Sequence, residues 1–188
     1  MFKTQDFDCD SLILIESKRE IEFLEKIYEW SGCKKKLELI YRGSRDGFLS
    51  KNFHEKCDNK GPTITLYKNN NNNIFGGYAS ISWTSDGKYH AAPDCFIFTL
   101  TNIHNTMPTK LPTNNKEQGV YHHKDKGPTF GEGCDISISN DFINNDSSSD
   151  FPCRYKDNLG KGKSIFTGDS NNKSVFRLKE IEVFQIFK

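Results

Sequence analysis

Phe75-Gly-Gly-Tyr-Ala-Ser-Ile-Ser-Trp83 is the stretch whose pattern sets the fold class. Phe75, Gly77, Ala79, Ile81 and Trp83 fall on one side at period two, and Gly76, Tyr78, Ser80 and Ser82 on the other. That alternation is the pattern of a half-buried strand. Adjacent glycines weaken a strand interior, so Gly76 and Gly77 predict a bulge or a close approach of neighbouring backbone. Upstream, residues 63–68 read as a second strand, and the polar residues 69–73 as the loop joining the two into a hairpin.

Working outward, residues 11–15 (Ser-Leu-Ile-Leu-Ile) form a short apolar run that predicts a strand. Ser17-Lys-Arg-Glu20 matches a capping box, with Ile21, Leu24, Ile27 and Tyr28 behind it at helical spacing and Gly32 as the stop. Leu37, Leu39 and Tyr41 share one face of a strand that runs into the charged turn Tyr41-Arg-Gly-Ser-Arg-Asp-Gly47. Residues 49–57 read as a second helix, with Ser50 as its cap and Phe53 pointing inward. Residues 95–101 carry apolar groups on both faces, as a central strand does. Short strands at 120–121 and 129–130 bracket a turn, 135–139 begins another strand, and 140–150 is a polar loop of low complexity. The apolar phase switches within 175–187, which predicts a bulge or cover on both sides. The expectation is an α+β chain, mostly β: a two-sheet antiparallel β-sandwich flanked by two helices in the N-terminal third. Its 188 residues suffice for one domain, with its core at about 11–187.

The 26 Lys and Arg against 25 Asp and Glu leave a formal net charge of +1, which weighs against a nucleic-acid partner. No apolar run approaches the roughly 18 residues of a membrane span, and no leader pattern opens the chain. A cytoplasmic, monomeric protein without membrane insertion is expected. Six cysteines (Cys9, Cys33, Cys57, Cys95, Cys134, Cys153) occur without any Cys-x-x-Cys, and reduced thiols are expected for all of them.

Few residues carry chemistry. His122 and His123 are adjacent, so in a strand they face opposite ways and do not share an ion; an exposed loop and no metal are expected there. Cys134, after Gly131-Glu-Gly133, is the redox candidate, but no His or cation is fixed beside it. Residues 127–133 are glycine-rich yet lack the Lys-Ser/Thr of a phosphate loop. Arg42, Arg45 and Asp46 read either as a partner-binding patch or as a structural ion pair with a backbone cap. No cofactor motif and no catalytic constellation is found.

Taken in order, these stretches resemble a known family. Tyr41-Arg-Gly-Ser-Arg-Asp-Gly-Phe48, Phe53-His-Glu-Lys-Cys-Asp58, Lys60-Gly-Pro-Thr63, Ile74-Phe-Gly-Gly-Tyr78 and Trp83 are similar to segments of the TLDc domain. So are Asp94-Cys-Phe-Ile-Phe98, Gly127-Pro-Thr-Phe-Gly131 and Lys179-Glu-Ile-Glu-Val-Phe184, and the form resembles the TLDc domains abundant in protists. Gly43, Gly47, Gly61, Pro62, Gly76, Gly77, Tyr78, Trp83, Gly127, Pro128, Gly131, Gly133 and Asp135 are the structural markers of that resemblance.

The resemblance implies a β-sandwich with flanking helices and no established catalysis. It also implies a link to protection against oxidative stress and, in several members, regulation of the vacuolar-type proton-pumping ATPase (V-ATPase). Such domains usually read Gly-Gly-Gly-His-Asp where this chain has Gly131-Glu-Gly-Cys-Asp135, so a role for that histidine does not carry over. The sequence ends just past its last expected strand, so no counterpart is expected here for a grip on the ATPase through a further segment. The expected function is a non-catalytic protein-interaction domain, with V-ATPase subunits as partner. The alternatives are a thiol-based redox protein and a small-ligand-binding β-sandwich.

Overall fold

The computed structural model describes residues 9–114, 117–133, 135–171 and 173–187. In chain order the elements are α1 (Leu12–Ser17), α2 (Glu20–Ser31), β1 (Glu38–Arg42), α3 (Gly43–Asp46), α4 (Ser50–Cys57), β2 (Thr63–Asn69), β3 (Ile74–Ala79) and β4 (Lys88–His90). There follow β5 (Phe96–Thr101), β6 (Thr109–Pro112), β7 (Val120–His122), β8 (Thr129–Phe130), β9 (Ser147–Ser148), α5 (Ser164–Thr167), β10 (Val175–Phe176) and β11 (Leu178–Gln185). An antiparallel six-stranded sheet in the order β1-β11-β2-β3-β5-β6 carries the fold, with a three-stranded sheet β4-β7-β8 and a β9-β10 pair beside it.

The hairpin of β2 and β3 lies at the centre, and both strands are buried along their whole length. This differs from the half-buried strand the alternation suggested. Successive side chains leave opposite faces of a strand, and here each face has its own core. On one side Ile64, Leu66, Ile74, Tyr78, Phe96, Phe98 and Phe184 meet Ile13, Leu14, Phe23, Leu24 and Ile27 of α1 and α2. On the other, Tyr67, Phe75, Ile97, Ile181 and Val183 pack against Trp83, Phe130, Ile138, Phe142 and Phe166. The strand itself ends at Ala79; Trp83 lies beyond it and bridges Asp58.

The run at 11–15 is a helix, not a strand. Ser11 caps it by accepting the Leu14 N–H at 3.0 Å, and Ile13 and Leu14 are buried while Leu12 and Ile15 face out. Two adjacent buried positions between exposed ones fit one side of a helical turn and not a strand's alternation. Ser17 then closes α1 rather than opening α2: its hydroxyl donates to Leu14 O at 2.5 Å, and α2 starts from Arg19 without a side-chain cap. Gly32 ends α2 in the left-handed region at φ +66°. The second expected helix is α4, with Leu49 as its cap instead of Ser50. The loop at 140–150 is ordered, because Phe142 is buried and Ser147–Ser148 pair with β10. The phase switch near the C-terminus has both expected causes: a register shift between Leu178 and Glu180, then Ile181 and Val183 facing one core and Phe184 the other. No described helix is long and apolar enough to cross a membrane.

Candidate functional site

Most residues that mark the sequence serve the scaffold. Gly76 and Gly77 have ordinary strand backbone and give their space to neighbours. A Cβ on Gly76 would stand 2.1 Å from Thr65 O, and one on Gly77 would stand 2.4 Å from the Phe130 ring. Trp83 donates its indole N–H to Thr63 Oγ1 at 2.9 Å amid Phe53, Phe130 and His122. Tyr78 stacks on Phe96, with ring centroids 5.1 Å apart. The Gly61 N–H donates to Ser82 Oγ, Pro62 O accepts from the Ile186 N–H, and Pro128 O accepts from the Tyr67 hydroxyl. Gly127 makes room for Ile138 and Phe142. Gly131 turns at φ +74° directly over the Asp135 carboxylate, and Gly133 turns likewise at φ +76°. Burial pushes Asp135 up to about 6, against the pull of its bonds from the Arg154 and Cys153 N–H groups.

The charged turn divides into two roles. Arg42 pairs with Glu182, which is fully buried, at 2.8 Å. Glu182 also accepts from Ser11 Oγ at 2.6 Å and from the Leu12 N–H at 2.9 Å, so one carboxylate ties α1 to the sheet. Burial holds its pKa above the usual carboxylate value despite those three donors. Asp46 faces inward and accepts from the Arg42 N–H, while Gly47 O accepts from the Tyr41 hydroxyl at 2.7 Å. Gly43 leaves room for the Phe48 ring. Arg45, 46% exposed, pairs with Asp46 at 2.8 Å on the outer side of the turn. It stands at the rim of a groove of about 510 Å³ with Asp10, Lys35, Lys36, Glu38, Leu39 and Phe187.

A second cluster joins α4 and its C-cap Asp58 to Ser85 and to the segment at 123–126. His54 Nδ1 contacts Asp58 Oδ1 at 2.8 Å, while Nε2 contacts the carbonyls of His123 at 3.1 Å and Lys126 at 3.0 Å. Every partner is an acceptor, so both ring nitrogens donate and the ring is an imidazolium. Burial works against that charge, but Asp58 and the carbonyls outweigh it and raise the pKa. Asp58 also accepts from Ser85 Oγ at 2.7 Å. Next to it, His122 is not in an exposed loop: it lies in β7 and is fully buried. Its Nδ1 meets Thr84 N at 3.2 Å and Thr84 Oγ1 at 3.0 Å, and its ring stacks on His90 at 4.2 Å. Burial first, then the His90 charge, push it down to about 4. His123 faces the other way, beside Tyr121, as adjacent strand residues must.

Nucleophiles are quiet. Cys9, Cys33, Cys57 and Cys95 are free and buried, and burial pushes Cys9 up to about 12, Cys95 up to about 11 and Cys57 higher still. Cys153 is disulfide-bonded, which corrects the expectation that every thiol is reduced. Cys134 lies outside the described residues. His104 Nε2 contacts Ser164 Oγ at 2.8 Å, but that hydroxyl donates to Lys161 O and so is not activated by the ring.

A family model described as the TLDc domain matches residues 12–187. Among curated proteins, the MTOR-associated protein MEAK7 of Gallus gallus is 30% identical over 97 residues. That stretch is 50% of this chain and 18% of the relative, so the match spans under a fifth of the relative's length.

Proposed function

The chain belongs to the TLDc domain family, and from that premise we propose that it is a non-catalytic protein-interaction domain. One observation carries the reading: the marker residues are spent inside the scaffold, while Arg45 stands exposed at the rim of the charged groove. Charged side chains outnumber Leu37, Leu39 and Phe187 in the lining, whereas small-molecule pockets are lined mostly by apolar groups. The relative's printed name, an MTOR-associated protein, supports protein association as the kind of activity. The proposed partner is a subunit of the V-ATPase in the cytoplasm, in the setting of oxidative stress that the family resemblance implies. Arg45 makes the contact with Asp46 holding it in place, and Arg42 serves the fold.

The test is cross-linking and capture from native lysate with the wild-type protein and with Arg45→Ala. Enrichment of an ATPase subunit that falls at least fivefold with Arg45→Ala supports both partner and surface. No ATPase subunit above the control refutes the named partner. Enrichment that Arg45→Ala leaves unchanged moves the contact off this groove.

A further inference from the structure

Three separate pieces of the chain meet around one imidazole ring. His54 lies on α4 with its side chain 9% exposed, and its Nδ1 faces Asp58 Oδ1 at 2.8 Å across one helical turn. Its Nε2 faces two carbonyl oxygens at once, His123 O at 3.1 Å and Lys126 O at 3.0 Å. The Ser85 hydroxyl donates to the other Asp58 oxygen at 2.7 Å, so the ring and its carboxylate tie α4 to two distant segments. Within the segment at 123–126, the Lys126 N–H bonds back to His123 O at 2.9 Å and the Asp125 N–H to His123 Nδ1 at 3.1 Å. Among the described residues, then, His54 is the hydrogen-bonded tie between that turn and α4. Acceptors on both sides require a hydrogen on both ring nitrogens, and only the charged ring carries two. When the ring gives up one proton, the Asp58 anion keeps Nδ1–H more firmly than neutral carbonyls keep Nε2–H. The proton therefore leaves Nε2, whose lone pair then faces two carbonyl oxygens and repels them.

We propose that His54 is a pH latch: protonated, it holds the turn at 123–126 against α4, and deprotonated, it releases that turn. The latch borders a cleft of about 590 Å³, with Lys51 and Glu55 on the α4 wall and Lys124 and Asp125 on the wall made by the turn. Opening the latch moves the second wall and changes how Lys124 and Asp125 are presented. The ring shares the cleft with three carboxylates, Asp58, Glu55 and Asp125, and two ammoniums, Lys51 and Lys124. His123 belongs to the turn itself, and His122, whose field reaches the ring, is held neutral by burial. Burial works against the charge on His54, but Asp58 and the two carbonyls outweigh it and raise the pKa above the usual 6.5. The latch is accordingly closed at and below that usual value and opens as pH rises through the higher folded one. The cleft shares no lining residue with the groove at Arg45.

The experiment is hydrogen–deuterium exchange of the whole chain from about pH 5.5 to about pH 9, corrected for the intrinsic pH dependence of exchange, beside an NMR titration of the His54 ring. It is run on wild type, Asp58→Asn and His54→Gln, with circular dichroism to check that the variants fold. In wild type, protection of residues 123–126 should fall at least about tenfold over the pH interval in which the His54 ring titrates. Asp58→Asn keeps an acceptor but removes the charge, so the ring midpoint and the loss of protection should move to lower pH together. His54→Gln cannot titrate, and its protection at 123–126 should lose this step. A histidine with only a structural role would leave protection flat through its own titration in wild type, and that result overturns the latch. A step that persists in folded His54→Gln, or a ring midpoint that moves in folded Asp58→Asn without the step, overturns it as well. None of these results bears on capture of a protein partner through Arg45.

Discussion

Alanine at Gly76 should destabilise the domain far more than its small size suggests, and more than alanine at Gly77. Both glycines have ordinary strand φ values, so the usual gain from a stiffer unfolded chain, about 0.4–1 kcal/mol, is available at each. The difference lies in what the new methyl meets. At Gly76 it would lie 2.1 Å from the carbonyl oxygen of Thr65 and 2.5 Å from Phe98 Cζ. The first of these is backbone of the neighbouring strand, paired in register, so relief requires parting β2 from β3. At Gly77 the three atoms nearest the methyl all belong to the Phe130 ring, at 2.4–2.7 Å, and a ring can shift. Overpacking of a core costs about 1–3 kcal/mol where side chains give way. Strand separation belongs at or above the top of that range, so Gly76→Ala should cost about 3 kcal/mol and Gly77→Ala about 1–2 kcal/mol after the unfolded-state gain. With a urea slope of about 2 kcal/mol/M, the midpoint drops by about 1.5 M for the first and by about 0.5–1 M for the second. Urea titrations of both variants followed by circular dichroism read this directly. Equal midpoints, or a larger loss at Gly77, would refute the claim that a backbone approach dictates the first glycine and a ring the second.

Glu182→Ala should cost about 3 kcal/mol by leaving Arg42 partly buried without its partner. Hydrogen exchange should then rise first in α1, whose capping Ser11 bonds the same carboxylate; exchange that rises uniformly would deny that Glu182 anchors that helix. His54 has a raised folded pKa, so its stabilising contribution is complete below the unfolded value of about 6.5 and is lost as pH rises through the folded one. His54→Gln should flatten the fall in melting temperature above that pH, and a slope unchanged from wild type would assign it elsewhere. His122 runs the other way: held neutral down to about 4, it costs stability as pH falls below about 6.5, and its NMR titration should show no midpoint near that value. A thiol-based peroxidase would need a reactive cysteine, and the buried Cys9, Cys57 and Cys95 are driven away from thiolate. Peroxide consumption should accordingly be unchanged in Cys9→Ala, Cys57→Ala and Cys95→Ala, and a large drop in any of them would reinstate the redox reading.

The hairpin, the central strand at Phe96–Thr101, the helix ending at Gly32 and the late bulge were all legible from residue pattern, because each depends on contacts near in sequence or on apolar period alone. What stayed hidden depends on partners far along the chain. The run at 11–15 looks like a strand until Glu182, 171 residues from Ser11, accepts its hydroxyl and the Leu12 N–H and holds a first helical turn in place. The central strands look one-faced because Gly76 and Gly77 present no side chain, yet they are where the sheet is covered most closely, by Phe98 on one side and Phe130 on the other. A glycine in a strand is silent in a hydropathy pattern and loudest in the packing.

The same logic separates the two candidate surfaces. The turn at Arg42–Gly47 is a compact cluster of charge, visible in sequence, but its two arginines carry no mark that one will be used up by a buried glutamate of the last strand and the other left exposed. Adjacent strand residues face opposite ways, so His123 lies beside Tyr121 and away from His122. The neighbour of His122 on its own face is His90, far away in the sequence. Antiparallel pairing brings the diagonal residue of another strand to the same face, so the partner to seek was a histidine two places beyond whichever residue pairs with His122. Sequence alone does not reveal that register, because β4 and β7 are three residues each and carry little apolar alternation. Short strands have their register set by the turns around them, and here Gly87, at φ +75° with its N–H on His122 O, sets the one that brings His90 over His122. Gly87→Ala strains that turn and should therefore destabilise the domain by about 1 kcal/mol and shift the NMR signals of the His90 and His122 rings, whereas ring signals left in place would mean that Gly87 does not set the register.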